Sequence, residues 1–272
     1  KVEVKVRELS LIVGGPPCQS WSILGRRKGF EDERGELMYE YVRVVREAQP
    51  KAFILENVVG FHNHGKGEAY KQVVAALANA NYPSVSTWLL DAADFGVPQF
   101  RRRVFVVGFR DDLNVPNDLP APPRSFRSRS ENQQLLLGDT SLQLHRTVQQ
   151  AFHDIPDDAA NHEPRIHGER VSTRYSSLKP GERDKVDHTD RLVWNEPSGT
   201  VLVGSQGGGG RPFIHPELPR HLTVREAARL QGFPDEWVFC GNSTAQYRQV
   251  GNAVPPALAE AVVREIVPYL LK

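Results

Sequence analysis

Two stretches of this chain hold side chains able to do covalent and acid–base chemistry. The first is Gly14-Gly15-Pro16-Pro17-Cys18-Gln19-Ser20-Trp21-Ser22. It follows an apolar run, Leu9 to Val13, that reads as a short buried strand. Two prolines fix φ and remove backbone donors, which holds a loop open at the strand's C-terminal end. A thiol there is a candidate nucleophile, because thiolate is strongly nucleophilic near neutral pH. The bland alternative is a buried cysteine in a tight turn. The second stretch is Ala52-Phe53-Ile54-Leu55-Glu56-Asn57-Val58, a buried strand that delivers Glu56 to its mouth. In an open α/β sheet such strand ends collect ligands and chemistry. An N-cap or surface acid is the plainer reading of Glu56.

The flanking elements follow from periodicity. Leu37 to Ala48 is apolar at helical spacing and Pro50 closes it; Ala69 to Ala80 is a second amphipathic helix, and Ser84 to Leu90 a strand. Asp94 to Gln99 turns into a strand over Arg101 to Gly108, whose alternation puts Arg101 and Arg103 on one side and Arg102 on the other. Paired guanidiniums entering a buried strand need acceptors such as phosphate, carboxylate or a base carbonyl. Leu24 to Gly35 is glycine-punctuated and charged, as an active-site lid or an ordinary solvated loop would be. Thr200 to Val203 reads as a strand running into a glycine run, Gly207 to Gly210, which no helix follows, so a phosphate loop is disfavoured and a linker stays open. Thr223 and Glu226 form a capping box ahead of a helix over Val224 to Gln231, and an apolar helix spans Ala257 to Leu271.

Composition narrows the class. The 272 residues carry a formal net charge of +1, enough chain for one or two domains with a proper core. No run of about 18 apolar residues occurs, so no membrane span is expected, and the start has no signal-peptide pattern. Two cysteines cannot build a zinc framework, and His62 and His64 have no partner at ligand spacing, so no metal is expected. The chain reads as cytoplasmic. Arg101, Arg102, Arg103, Arg110, Arg124, Arg127 and Arg129 outnumber the local acids and read as a basic patch for a polyanion. Residues 111–220, rich in Pro, Ser, Gln and Arg, read as a smaller loop-rich domain between 1–110 and 221–272.

In order, Pro17-Cys18-Gln19, Glu56-Asn57-Val58, Gln99 to Arg103, Arg225 to Pro234 and Gly251-Asn252-Ala253-Val254-Pro255 closely resemble the motifs of the DNA (cytosine-5)-methyltransferase family, bacterial type, over nearly the whole chain. The resemblance implies an α/β fold: a Rossmann-like S-adenosylmethionine-dependent methyltransferase sheet with a target-recognition domain at 111–220. It implies Cys18 as the nucleophile on cytosine C6, Glu56 on N3 and the exocyclic amine, and Arg103 and Arg101 near the base O2. Pro17, Leu37, Asn252, Ala253 and Val254 match positions lining S-adenosyl-L-methionine. Gln19, Ser22, Arg34, Thr200, Gln206, Gly207 and Gly208 match positions that meet duplex DNA. The base must leave the stack to be reached, with the 22–36 loop closing over it. A nucleoid-associated prokaryotic enzyme of restriction–modification is the expected setting. The family's glycine-rich first βα loop has no counterpart here, so an upstream segment or a separate subunit is expected to complete the cofactor site. The rivals are a tRNA cytosine-5 methyltransferase, whose Cys-Phe-Thr signature is absent, and a non-catalytic DNA-binding subunit, which would need no Cys18, Glu56 and Arg103.

Overall fold

The computed structural model describes residues 9–17, 33–63, 67–113, 115–130, 142–202 and 213–271, with the side chains of 33–36 outside that description. The chain divides into two compact units. One takes the described residues of Lys1–Leu90, Arg102–Pro123 and Val262–Lys272; the other takes those of Asp91–Arg101 and Arg124–Ala261.

The first unit is built on a four-stranded sheet. In chain order its strands are β1 (Leu11–Gly14), β2 (Ala52–Val58), β3 (Ser84–Asp91, whose last residue is counted in the second unit) and β4 (Arg102–Phe109), laid side by side as β1-β2-β4-β3. β1 runs parallel to β2, with Leu11 opposite Ala52 and Gly14 opposite Leu55. β2 is antiparallel to β4, from Ala52 opposite Phe109 to Val58 opposite Arg103. Ala52 to Leu55 are all buried, as a strand covered on both faces requires. α1 (Glu33–Ala48) sets Met38, Val42 and Val45 into the core with Phe53, Leu55 and Val106, and α3 (Glu68–Ala78) adds Val73 and Leu77. Between them α2 (Val59–Asn63) contributes Phe61. α1 begins earlier than its apolar spacing indicates, because its first turn is polar. It ends at Gln49, which takes a left-handed φ of 49°. Its side-chain amide donates to the carbonyls of Arg46 (2.8 Å) and Ala80 (3.1 Å), offsetting the strain a non-glycine residue carries there.

Among its described residues the second unit has little sheet: β5 (Phe126–Arg127) and β6 (Gln143–Leu144) are a short parallel pair. Its helices are α4 (Val148–Phe152), α5 (Glu169–Ser176), α6 (Val224–Leu230) and α7 (Ser243–Asn252), and α8 (Pro256–Leu270) starts in this unit and ends in the first. The expected capping box closes α6, with Thr223 and Glu226 reciprocally bonded. α4 has the same device in Thr147 and Gln150. α7 was not evident from periodicity; Asn242 caps it, accepting from the Ala245 amide at 2.9 Å. The core gathers Val148, Val201, Phe213, Leu222, Ala227, Leu230, Tyr247 and Val250.

One expectation is corrected. Thr200 to Leu202 is not a strand; Val203 lies outside the described residues. Side-chain bonds replace a ladder there: the Val201 amide donates to the Gln99 side chain (2.9 Å), and the Thr200 hydroxyl to the Phe100 carbonyl (2.8 Å). The alternating start, Lys1 to Val6, also lies outside the described residues.

Gly108 sits opposite Phe53 in the β2–β4 pair, and a Cβ there would lie 2.3 Å from the Phe53 ring. Both groups are fixed by the sheet, so Gly108→Ala should destabilise by about 1–3 kcal/mol, the usual cost of overpacking, as read from the urea midpoint at unchanged slope.

Candidate functional site

Within the first unit, the end of β2 and the loop after β1 are joined side by side. The buried Asn57 donates from Nδ2 to the Pro16 carbonyl at 3.0 Å. A Cβ on Gly15 would lie 2.9 Å from Glu56 Oε2, so glycine permits the loop to pass against that carboxylate. Glu56 Oε1 meets Arg103 Nε at 3.0 Å, with the side chains 16% and 12% exposed respectively. The register explains the meeting: Arg103 faces Val58, and Glu56 is the diagonal neighbour on the same face of the antiparallel pair. Arg103 also donates from Nη1 to the Arg102 carbonyl at 2.8 Å. Burial pushes the Arg103 guanidinium below its ordinary value, while the charge and hydrogen bond of Glu56 pull it back. It stays a cation at neutral pH, because arginine starts so high. The result is a half-buried carboxylate with a fixed cation at one oxygen, an arrangement that can accept N–H groups from a planar amidine-like edge.

The second unit holds a buried polar network around Gln99, Arg101 and Gln231, none more than 2% exposed. Gln99 Nε2 donates to Gln231 Oε1 and to the Leu230 carbonyl (3.2 Å), and its Oε1 accepts from the Val201 amide. Gln231 Nε2 donates to the carbonyls of Val250 (3.1 Å) and Ala253 (2.6 Å). Arg101 donates to the carbonyls of Val201 (3.2 Å), Gly251 (2.9 Å) and Ala253 (3.1 Å). The Asp91 carboxylate receives the Arg101 amide at 2.9 Å. Four segments separated by up to about 150 positions are thereby set in one register: the Gln99–Arg101 turn, the Val201 segment, Leu230-Gln231 at the end of α6 and the C-terminal end of α7.

The other expected site residues are placed as follows. Pro17 is exposed, Leu37 is 46% exposed on α1, and Asn252 is exposed as the last residue of α7. Ala253 and Val254 are half-buried. Thr200 is held by its bond to Phe100. Cys18, Gln19, Ser22, Gln206, Gly207 and Gly208 lie outside the described residues, as does the side chain of Arg34.

The basic patch expected from composition is corrected. Arg101 is inside the network, and Arg110 is 7% exposed, bonded to Asp112 (2.7 Å) and to the Gln49 carbonyl. Arg103 is paired with Glu56, leaving Arg102, Arg124 and Arg129 as the exposed arginines of that run. Among the described residues no group of three or more His, Cys, Asp or Glu side chains could hold a metal, and no helix is long and apolar enough to cross a membrane. Asn57, Gln99 and Gln231 were not singled out from sequence. The available signal was a polar residue at a core-facing register position, such as Asn57 following Phe53 and Leu55.

The profile of a family described as C-5 cytosine-specific DNA methylase matches residues 1–268. Type II methyltransferase M.NgoFVII of Neisseria gonorrhoeae is 34% identical over 277 residues, spanning 97% of this chain and 71% of that protein. Type II methyltransferase M.FnuDI of Fusobacterium nucleatum is 36% identical over 277 residues, spanning 94% and 75%. Among solved structures, one described as a DNA modification methyltransferase encoded within an E. coli prophage superposes with a TM-score of 0.72 at 27% identity, covering 97% of this chain and 80% of that one. S. pombe Dnmt2, at 19% identity and a TM-score of 0.61 over 97% and 80% of the chains, shares the fold.

Removing the Gln231 amide would leave the Ala253 and Val250 carbonyls and the Gln99 side chain short of partners in a buried setting. Gln231→Ala should therefore cost about 2–3 kcal/mol of stability, more than an exposed Gln→Ala, as measured by urea unfolding.

Proposed function

We propose, from the premise that this chain belongs to the C-5 cytosine-specific DNA methylase family and is a DNA cytosine-5 methyltransferase, that it methylates a flipped-out cytosine of duplex DNA through a covalent Cys18–C6 intermediate. The reading assigns it to the restriction–modification class of its Type II relatives. The observation that supports the site assignment most is the Glu56–Arg103 pair, with Gly15 against the Glu56 carboxylate and Pro16 bonded to the adjacent Asn57.

Cytosine C5 is too weak a nucleophile to be alkylated directly. The Cys18 thiolate adds to C6 while a proton from solvent, relayed by the Glu56 carboxyl, settles on N3, giving a neutral enamine that is nucleophilic at C5. Glu56 accepts from the exocyclic amine and from N3–H, stabilising the charge that develops on the ring. Arg103 holds that carboxylate in place and faces the base O2. S-adenosylmethionine, when bound, would supply an electrophilic methyl group to C5 and depart as the neutral thioether S-adenosylhomocysteine. The C5 proton then leaves to solvent as the Cys18–C6 bond breaks and N3 returns its proton through Glu56, restoring thiolate and neutral aromatic ring.

The residues assigned to the cofactor suit it chemically. Leu37 presents apolar surface of the kind an adenine ring covers, and Asn252 presents an exposed amide. Arg101 acts through other groups: it and Gln231 fix the Ala253 carbonyl, and so the direction in which Asn252 and Val254 leave α7. Gln19, Ser22, Arg34, Thr200, Gln206, Gly207 and Gly208 are assigned to duplex DNA, with 111–220 as the part that reads sequence.

With 5-fluorocytosine at the target position, fluorine blocks loss of the C5 substituent, so a protein–DNA adduct resistant to denaturation should accumulate; Cys18→Ser should form none. Glu56→Gln should still bind DNA and lose about 10²–10³ in turnover, as removal of a charge-stabilising contact does. An undiminished adduct in Cys18→Ser would remove Cys18 from the mechanism. Exchanging 111–220 for the matching segment of a relative should move the methylated sequence, read by bisulfite sequencing of the modified DNA.

A further inference from the structure

We propose that the second unit carries a binding site for a compact alkylated ammonium group, in the corner between Trp194 and Phe152 with Glu217 at its rim. The cavity measures about 360 Å³ and is lined by Gln149, Phe152, His153, Trp194 and Glu217. No part of the methyl-transfer chemistry uses it.

The two aromatic walls stand almost at right angles, at 85° with ring centroids 5.9 Å apart. That geometry selects among occupants. A planar nucleobase is held best between parallel faces, which this corner lacks. A roughly spherical cation can touch the faces of both rings at once, where the ring quadrupoles attract it. Tryptophan is the strongest aromatic partner for such a cation. The Glu217 carboxylate, exposed at the rim, supplies the countercharge, and neither lysine nor arginine lines the cavity.

The walls are fixed. Both rings pack against the apolar core of the unit. The first amides of α4 bond to the segment bearing Trp194: Val148 N–H donates to the Glu196 carbonyl and Gln149 N–H to the Trp194 carbonyl, each at 2.9 Å. Those bonds also occupy helix N–H groups that would otherwise favour an anion. Behind Phe152 the His215 ring stacks at 5.7 Å and 20°, and it meets Trp194 edge-on at 5.3 Å. His215 Nδ1 accepts from the amides of Glu217 (3.1 Å) and Leu218 (3.0 Å), so the ring proton resides on Nε2. Burial pushes this imidazole down to about 4, and it stays neutral at working pH rather than repelling a cation. Glu226 lies 3.9 Å from its Nε2 but is neutralised by Arg220 at 2.7 Å. The acid at the rim is Glu217, whose charge also acts on the Arg191 guanidinium bonded to its own carbonyl. An unalkylated ammonium holds its water strongly; alkyl groups lower that desolvation cost and supply surface for the rings.

The test titrates the intact protein with choline and with its uncharged carbon isostere 3,3-dimethylbutan-1-ol at constant ionic strength, following the Trp194 indole N–H by NMR. Choline should shift that resonance and bind roughly tenfold more tightly than the isostere, the scale of a cation–π pair with a countercharge. Glu217→Gln, at an exposed position, should weaken choline several-fold and leave the isostere unchanged. A peptide bearing trimethyllysine, run against its unmethylated twin, separates a protein-borne head from a free one. Equal affinity for choline and the isostere would make the corner a plain apolar groove and overturn the proposal. So would an unshifted Trp194, an unaffected Glu217→Gln, or displacement of choline by cytidine.

Discussion

Main-chain carbonyls without strand partners are the constraint around which the second unit is organised. A buried carbonyl must find a donor, and a unit with a two-residue parallel pair for a sheet offers few amides across a ladder. Arginine and glutamine side chains take over that task. Arg101 serves Val201, Gly251 and Ala253; Arg225, fully buried, serves Ala160 (3.0 Å), Pro234 (3.1 Å) and Trp237 (2.8 Å). Arg191 serves Pro216 (2.9 Å), Tyr175 (2.6 Å) and Glu217 (2.5 Å). A guanidinium suits this role because its five donors lie in a fixed plane and it remains charged when partly desolvated. Burial lowers the pKa of both Arg191 and Arg225, yet from a starting value too high for neutralisation.

That use of arginine alters the meaning of charge in this chain. A count of basic residues treats each as available to a polyanion, whereas several here have their donors committed to backbone. The surface that can attract phosphate is carried by fewer residues than composition suggests, with Arg102 and Arg129 among the exposed ones. Long-range attraction to DNA depends on where exposed charges sit, so a formal +1 is compatible with a DNA substrate.

The sheet was legible in sequence and much of the second unit was not, for one physical reason. Strands such as Ala52 to Val58 and helices such as Val224 to Leu230 announce themselves through apolar period and caps, which are local. Thr200 to Leu202 looks like a strand by composition, but its neighbours are the Gln99 and Phe100 groups a hundred positions away, and pattern carries no trace of them. α7 escaped notice because its stretch is polar apart from Tyr247 and Val250, which reach the core. Glu56 and Arg103, candidates by type and order, meet as an ion pair. The amides that hold the surrounding main chain, Asn57, Gln99 and Gln231, look like ordinary surface residues until their burial is known.

Arg101 and Arg103 show how finely such roles divide. They are two positions apart, and strand alternation read from the sequence would put them on one face as a matched pair. Arg103 lies in regular β4, where register delivers its guanidinium to a carboxylate on the adjacent strand. Arg101 precedes the strand, and the boundary between the two compact units falls directly after it. Its Nη1 and Nη2 donate to the main-chain carbonyls of Val201, Gly251 and Ala253. Replacing guanidinium by ammonium would keep the charge at both places and lose the planar fork at both. At Arg103 that change bears on the orientation of Glu56; at Arg101 it bears on the carbonyls of Val201, Gly251 and Ala253. One motif thus carries both an electrostatic function and a structural one, separated by a single residue that faces solvent.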